Sequence, residues 1–179
     1  TAFRGAGDSE YKGFDFEFQG QPTDWLQLAG TLAYTDAEMT NFSSRGSNEF
    51  AVLGSGPLSV DNSGNKARNI PAWTASLSPT ILGTVGDRDW FFRTDFTYHS
   101  KTWADYSQFN RAPDRFRINA RAGINLNEKT AVEIWAKNLT QNKTLGLSGG
   151  TTSGPRGSRK AFQEPYQRRE IGIRVKADF

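Results

Sequence analysis

Apolar and polar residues alternate with period two in seven stretches of the chain, which is the pattern of a β-strand with two unlike faces. In the last stretch Ile171, Ile173 and Val175 point to one side, whereas Arg174 and Lys176 point to the other. The alternation predicts strands over residues 11–19, 25–40, 73–81, 89–100, 116–126, 132–137 and 170–179. We therefore expect an all-β fold.

The connections between these strands differ in length. Turns are predicted at residues 20–24, 86–88 and 127–130, a medium loop at 101–114, and long loops at 41–72 and 140–165. Bacterial outer-membrane barrels show this asymmetry, with short turns in the periplasm and longer loops outside. The pattern thus predicts an antiparallel transmembrane β-barrel segment, in which Pro79 sits at a bulge or loses a ladder hydrogen bond.

Aromatic residues fall where a barrel would meet the two membrane surfaces. The periplasmic girdle is predicted to contain Phe18, Trp25, Trp90 and Phe179, and the outer one Tyr34, Trp73, Tyr98 and Phe116. Only 36% of the 179 residues are hydrophobic, yet 13% are aromatic. A low hydrophobic content with patterned aromatics is typical of a wall between lipid and water, and no apolar run reaches the roughly 20 residues of a spanning helix.

Composition also limits the chemistry of the chain. Without cysteine there is no disulfide or thiolate metal site, and we expect neither a metal nor a cofactor. The 22 basic and 19 acidic residues are spread along the chain, which does not indicate nucleic acid. A local basic excess occurs at Arg156, Arg159, Lys160, Arg168 and Arg169. It is either a solvated loop or a loop that contacts an anion such as lipopolysaccharide or an acidic ligand.

Seven strands do not close a bacterial barrel, which needs an even number, and unpaired edges in lipid lose several kcal/mol for each backbone group. The chain is therefore expected to be the C-terminal piece of a longer protein. The N-terminus shows no signal peptide, so any export signal is expected upstream or already removed.

Five motifs follow one another at residues 11–17, 32–37, 69–73 and 136–140 and at the terminal Phe179. Their order resembles the end of the barrel domain of TonB-dependent outer-membrane receptors, and Asn138 with Leu139 is similar to an Asn-Leu pair of that family. The resemblance implies a 22-stranded barrel, of which residues 1–179 form the last seven strands. It also implies a plug domain and N-terminal strands that are absent here, and a periplasmic segment that contacts TonB.

Parity places a set of polar residues on the face opposite the apolar one, which in a barrel is the lumen. They are Asp15, Glu17, Arg93, Asp95, His99, Arg117, Arg121, Glu133, Lys137 and Arg174. Their mixed signs favour structural ion pairing and docking of a plug, or else a path for the substrate. Asp15 and Glu17 are expected to meet a plug side chain or a basic residue such as Arg174.

The resemblance implies a receptor that imports a scarce nutrient, such as siderophore-bound iron, a cobalamin-like compound or an oligosaccharide. Its partners would be outer-membrane lipid and lipopolysaccharide, the small ligand, and the TonB complex through the missing N-terminal region. Ligand contacts are expected from Trp103, Tyr106 and Arg111 and from polar and aromatic residues of 41–72.

Three other functions remain open at this point. An outer-membrane enzyme is not expected, because Ser100 points away from His99 and no nucleophile elbow occurs. A small structural or passive barrel would be complete in itself. A soluble β-sandwich that binds a partner would turn the aromatic face inward.

Overall fold

The computed structural model describes residues 7–45, 59–108, 110–144, 146–153 and 158–178. The strands are β1 (Gly7–Thr23), β2 (Leu26–Arg45), β3 (Ser59–Asp61), β4 (Trp73–Val85), β5 (Arg88–His99), β6 (Thr102–Trp103), β7 (Arg111–Ala112), β8 (Arg115–Asn127), β9 (Thr130–Lys137), β10 (Gly146–Ser153), β11 (Ser158–Glu164) and β12 (Glu170–Ala177). The described parts of the chain contain no helix long and apolar enough to cross a membrane. The expected all-β fold is confirmed.

The seven long strands form one sheet in the order β1-β2-β4-β5-β8-β9-β12, with every neighbouring pair antiparallel. Two-residue turns at 24–25, 86–87 and 128–129 all lie at one end of the strands, and we call this end of the sheet the turn edge. The longer connections lie at the other end of the strands, which we call the loop edge. The predicted seven-strand meander with alternating connection lengths is thus confirmed, whereas Phe179 and Arg156 lie outside the described residues.

Several predicted boundaries are wrong. β1 continues to Thr23, which pairs with Leu26, so the turn predicted at 20–24 is only two residues long. β2 continues to Arg45 although a loop is predicted from residue 41. The outer part of β2 is held by neighbours distant in the sequence, since its backbone bonds residues 62–67 and β3. Alternation within the strand does not reveal such partners.

The predicted loops also contain regular structure. β3 pairs with the end of β2, and β6 pairs with β7 through Thr102 with Ala112 and Trp103 with Arg111. β10 and β11 form a separate hairpin within the stretch 140–165. The stretches 41–72 and 140–165 are rich in Gly, which has low strand propensity, and residues 101–114 have no sustained alternation, so the sequence indicates loops even where a local partner completes a ladder.

Pro79 causes no bulge, because the register of β4 with β5 is the same on both sides of it. Ladder pairs run through Leu77 with Phe96 and resume at Thr80 with Arg93, leaving a gap at Ser78 and Pro79. The Ser78 hydroxyl donates to Asp95 Oδ1 at 2.7 Å across this gap. A side-chain hydrogen bond therefore joins the two strands where the proline has no backbone N–H to give.

The register shifts at Asp8–Ser9, Gly20–Thr23 and Asn125–Asn127, close to the ends of the strands, and between these points it gives the sheet two different faces. One face carries Phe16, which is 57% exposed, and Ile173, which is 72% exposed, together with most other large apolar side chains. The other face is polar. Buried hydrophobic residues within the described chain are Ala37, Met39, Ala67, Ala104 and Ala112, and all of them lie toward the loop edge. An apolar face of this extent needs contact with another apolar phase.

Four glycines of the sheet lie directly opposite an aromatic residue on the next strand. The pairs are Gly30 with Phe18, Gly83 with Trp90, Gly123 with Phe91 and Gly172 with Trp135. In each pair the ring covers the glycine, since a Cβ built there would lie only 2.4–2.6 Å from a ring carbon. The ring takes the place of the missing side chain and protects the backbone beneath it.

Changing Gly30 to Ala is expected to lower the free energy of unfolding by roughly 1–3 kcal/mol, the usual effect of overpacking. The added methyl would meet the Phe18 ring at 2.6 Å and the Ser76 carbonyl oxygen at 2.9 Å. Thermal unfolding of the purified protein in detergent measures the effect. Gly20→Ala is the matched control, because nothing lies within 4 Å of a Cβ at Gly20. Equal stability of the two variants would contradict the ring-cover interpretation.

Asn138, just beyond the end of β9, joins β8 to both sides of the long connection between β9 and β12. Its backbone N–H donates to Asn119 Oδ1 at 2.9 Å, and its Nδ2 donates to the Gln167 carbonyl at 2.6 Å. Asn138 also exchanges side-chain and backbone hydrogen bonds with Asn142, at 3.1 and 2.9 Å. The residue is 1% exposed and adopts φ 49°, a left-handed conformation that asparagine tolerates. This network closes the base of the loop that carries β10 and β11.

Asn138→Ala is expected to lower the free energy of unfolding by about 2–3 kcal/mol, because it leaves buried donors and acceptors unpaired. Gln141→Ala is the matched control: Gln141 is exposed and also has positive φ, 53°, so alanine there has the same backbone strain without the network. Calorimetry of both variants measures the difference. If Gln141→Ala is equally destabilised, backbone strain and not the side-chain network is responsible.

Candidate functional site

The candidate site is a cluster at the loop edge, formed by Phe42, Arg68, Trp103, Tyr106 and Arg111, which we call the loop cluster. The three predicted ligand-contacting residues, Trp103, Tyr106 and Arg111, come together because β6 and β7 form one short hairpin. Arg111 is exposed, while Trp103 and Tyr106 are half-buried. The outer part of β2 adds Phe42 and the segment after β3 adds Arg68. Both belong to the range 41–72, from which ligand contacts were expected without individual residues being named.

Tyr106 is at the centre of the loop cluster. Its ring centroid lies 4.5 Å from that of Phe42, and Arg68 Cζ lies 4.8 Å from the Tyr106 centroid. The Tyr106 carbonyl accepts a hydrogen bond from Asn65 Nδ2 at 2.8 Å, and the Trp103 carbonyl accepts one from the Asn69 N–H, also at 2.8 Å. The aromatic and cationic groups are therefore held by contacts from the segment 65–69.

Polar side chains hold the hairpin in shape. Asp105 Oδ2 accepts the Asn110 N–H at 2.7 Å, and Asp105 is buried. Ser107 Oγ donates to Asn62 Oδ1 at 3.1 Å, and Asn62 is only 1% exposed. Side chains of Asp and Asn commonly bond nearby backbone in this way, which makes a loop rigid without a hydrophobic core. The only sequence signal for these residues is the density of Asp, Asn and Ser.

Lys66 fastens the same segment to β2. Its Nζ lies 2.6 Å from Asp36 Oδ1 and 3.0 Å from Glu38 Oε2, and these two carboxylates raise the pKa of Lys66 above its ordinary 10.5. Nearby, hydrogen bonds from Ser63 lower the pKa of Asp61. Both shifts favour the charged forms, so these contacts persist at neutral pH.

The polar face brings together the ten residues predicted to share one side. The register aligns Asp15, Ala33, Thr74, His99 and Arg115 in one row, and the other eight predicted residues follow the same parity. Ion pairs join Arg93 to Asp95 at 2.8 Å, Arg174 to Glu133 at 3.5 Å and Lys137 to Glu170 at 3.8 Å. Arg117 donates to Gln167 at 3.4 Å. Structural ion pairing is thus present on this face.

Asp15 and Glu17 do not meet Arg174. They lie on β1, whereas Arg174 lies on β12 at the opposite edge of the sheet and is paired with Glu133. Within the described residues no ion pair reaches Asp15 or Glu17.

The predicted polar residue His99 lies at the end of β5, and the hydroxyl of the neighbouring Ser100 accepts the Trp73 N–H at 3.0 Å. The two side chains do not form a nucleophile and base pair.

Comparison with known proteins decides the family. The family model described as "TonB dependent receptor-like, beta-barrel" matches residues 1–139, more than half of the chain. The chain belongs to the TonB-dependent receptor family. The resemblance noted in the sequence and the expected outer-membrane location are thereby confirmed. A soluble β-sandwich is excluded, since it would bury the apolar face that this receptor sheet leaves exposed.

Among curated proteins, this receptor chain is 29% identical over 145 residues to the metal-pseudopaline receptor CntO of Pseudomonas aeruginosa, with similar matches in two strains. The match covers 80% of this chain and 16% of the relative. The chain thus spans only a small part of the curated relatives' length. Those relatives are receptors by name, not enzymes.

Solved structures give the same fold. The ferric yersiniabactin uptake receptor FyuA from Yersinia pestis superimposes with a TM-score of 0.75 at 17% identity, over 97% of this chain and 24% of that one. The ferric preacinetobactin receptor BauA from Acinetobacter baumannii gives 0.69 at 19%, over 97% and 23%. The siderophore receptor PiuA from the same organism gives 0.67 at 20%, over 95% and 22%.

Lys66 is expected to titrate above 10.5, so the stabilisation from its ion pairs is fully present below that pH and is lost as the pH rises through the higher, folded-state pKa. NMR of ¹³C-methylated lysines measures the midpoint, and Lys66→Arg identifies the signal by its disappearance. Asp36→Asn combined with Glu38→Gln should lower the midpoint. A midpoint that does not change would show that the two carboxylates do not stabilise the lysine.

Proposed function

We propose that residues 1–179 form the C-terminal part of the wall of a TonB-dependent receptor that takes up a small metal chelate of the siderophore class. The plug domain and the remaining strands would come from parts of the protein outside this chain. Two observations support this: β1 and β12 are open edges of the sheet, and the chain covers 16% of its curated relative. In lipid such edges need further strands.

In this proposal the apolar face contacts lipid, and the polar face with its ten predicted residues lines the lumen. The loop edge lies outside the cell and the turn edge in the periplasm. An abrupt change on the apolar side supports this orientation. Phe14, Tyr34 and Trp73 form an aromatic group with centroid distances of 6.1, 6.0 and 4.8 Å, and the next pair outward is Lys12 with Asp36. The outer membrane surface, with its lipopolysaccharide, would lie between these two rows.

The loop cluster is the proposed point of ligand capture. The observation that carries this step is the fixed packing of Tyr106 against Phe42 and Arg68, with exposed Arg111 on the same hairpin. Aromatic rings beside guanidinium groups suit a chelate that has flat rings and negative charge. The relatives named above are receptors for metal–pseudopaline, ferric yersiniabactin and ferric preacinetobactin, which supports a siderophore over a cobalamin-like compound or an oligosaccharide.

Uptake would then follow the family's division of labour. The loops hold the chelate at the outer surface, and TonB, reached through the N-terminal region outside this chain, supplies the energy that opens the lumen. We propose no catalysis for the wall itself. In this proposal its residues bind, orient and enclose the chelate.

Tyr106→Ala in the complete receptor is expected to weaken binding of its ferric siderophore about tenfold, equivalent to ~1.4 kcal/mol, since the ring contacts are lost. Tyr106→Phe should retain most of the affinity. Binding of radioactive iron chelates to cells that lack their other siderophore receptors measures both. Arg88→Ala, at the turn edge, is the control.

Two results would contradict different parts of this proposal. If the unaltered receptor binds a cobalamin-like compound or an oligosaccharide but no member of a ferric siderophore panel, the ligand class is wrong. If it binds a siderophore and Tyr106→Ala binds equally well, the loop cluster is not the capture site.

A further inference from the structure

A groove crosses the apolar face of the sheet on the side of the turn edge. Its volume is about 390 Å³, and residues of the apolar face make up most of its lining. Ala122 of β8 lies at its floor, with Phe92 directly across the ladder on one side and Ile134 on the other. Because alanine is much smaller than these two neighbours, the surface is recessed at this point.

The ring of Trp90 leaves the groove open. It covers Gly83 on β4, where a Cβ would lie only 2.5 Å from the ring carbon Cζ2. Trp90 therefore leans away from β8, over the strand on the other side of β5. The space above Ile124, its ladder partner on β8, becomes part of the groove.

Arg88 lies just beyond the groove, at the turn edge. It precedes Trp90 and Phe92 by two and four residues on β5, so the three side chains share the apolar face. Arg88 is exposed and forms no ion pair with any residue of the described ranges. An unpaired guanidinium group next to a tryptophan at the boundary of an apolar face suits a lipid phosphate.

The length of the groove fits one acyl chain. Arg88 and Phe92 are four residues apart, which is roughly 13 Å at the usual rise of a strand. Half of a hydrocarbon core is ~15 Å thick, so a chain that begins at Arg88 would follow the groove through most of one leaflet. A second copy of the receptor fits less well. Two copies in one membrane have the same orientation and would bring their arginines to the same depth.

We propose that the groove binds one acyl chain of a phospholipid of the inner leaflet and that Arg88 binds its phosphate. This rests on the proposed function, in which the apolar face contacts lipid and the turn edge lies in the periplasm. Asp87, Glu128 and Lys129 line the same depression at the turn edge as Arg88, so these four charges balance. A zwitterionic headgroup such as phosphatidylethanolamine suits them better than one with a net negative charge.

The test adds dioleoyl phosphatidylethanolamine to the complete, delipidated receptor in detergent. Native mass spectrometry measures the fraction of receptor that carries one lipid. Ala122→Phe is expected to weaken binding about tenfold, because the new ring fills the groove. Ala75→Phe is the matched control: Ala75 is half-buried on the same face, between Leu32 and Tyr98, and lies outside the groove.

Arg88→Gln is expected to weaken binding by a similar factor, because the phosphate loses its charged partner. This variant keeps an exposed, unpaired position polar, so it should fold normally. Lys12→Gln is its control, since Lys12 lies on the same side of the sheet but toward the loop edge, paired with Glu10 at 2.9 Å.

Equal weakening by the groove variants and their controls, or no weakening by either groove variant, would indicate a non-specific lipid coat and overturn the proposal. Tighter binding of lipid A than of the phospholipid would also overturn it, as would a lipid-free dimer that Ala122→Phe abolishes. The siderophore assay tests the proposed function separately. A receptor that binds its ferric siderophore but no phospholipid would refute the groove site alone.

Discussion

The antiparallel pairing of the strands from β1 to β12 is the constraint on which the rest of the structure depends. Each strand satisfies its backbone N–H and C=O groups with its neighbours, which is the only way a sheet can exist where water is absent. Because successive side chains alternate, a slip of one residue would exchange the two faces. Phe92 and Arg93 can therefore lie on the apolar and the polar face respectively only while every neighbouring strand keeps its register.

At the loop edge, side-chain hydrogen bonds hold the structure in addition to the backbone pairing of the strands. Its buried groups include Met39, which is 2% exposed, but also Asn62 and Asp105, whose oxygens accept hydrogen bonds from the loop. Short polar side chains thus shape the loops, and the sheet serves as their base. Tyr106 gains a fixed position from contacts that do not depend on the membrane. Such an arrangement allows the loop residues to change while the wall stays the same.

The seven long strands were predictable because an apolar and a polar surrounding require different side chains at alternate positions. Residues 89–100 and 116–126 show this alternation clearly. β3, the β6–β7 hairpin and the β10–β11 hairpin were not predictable, since the stretches that contain them show no sustained alternation. Among the site residues, Trp103, Tyr106 and Arg111 were recognisable by type. Phe42 and Arg68 were included only as part of the range 41–72, because only folding brings residues 42, 68 and 106 together. The ring over Gly30 likewise depends on cross-strand pairing.

The buried amide of Asn138 has a mechanical consequence. It connects the chain leaving β9 to Asn142 and to Gln167, the two sides of the loop that holds β10 and β11. A force on that hairpin is therefore shared by several hydrogen bonds at its base. Without these hydrogen bonds, the same force would break the β9–β12 ladder one backbone hydrogen bond at a time. The asparagine therefore limits how far a displacement of the β10–β11 hairpin reaches the last strand of the sheet.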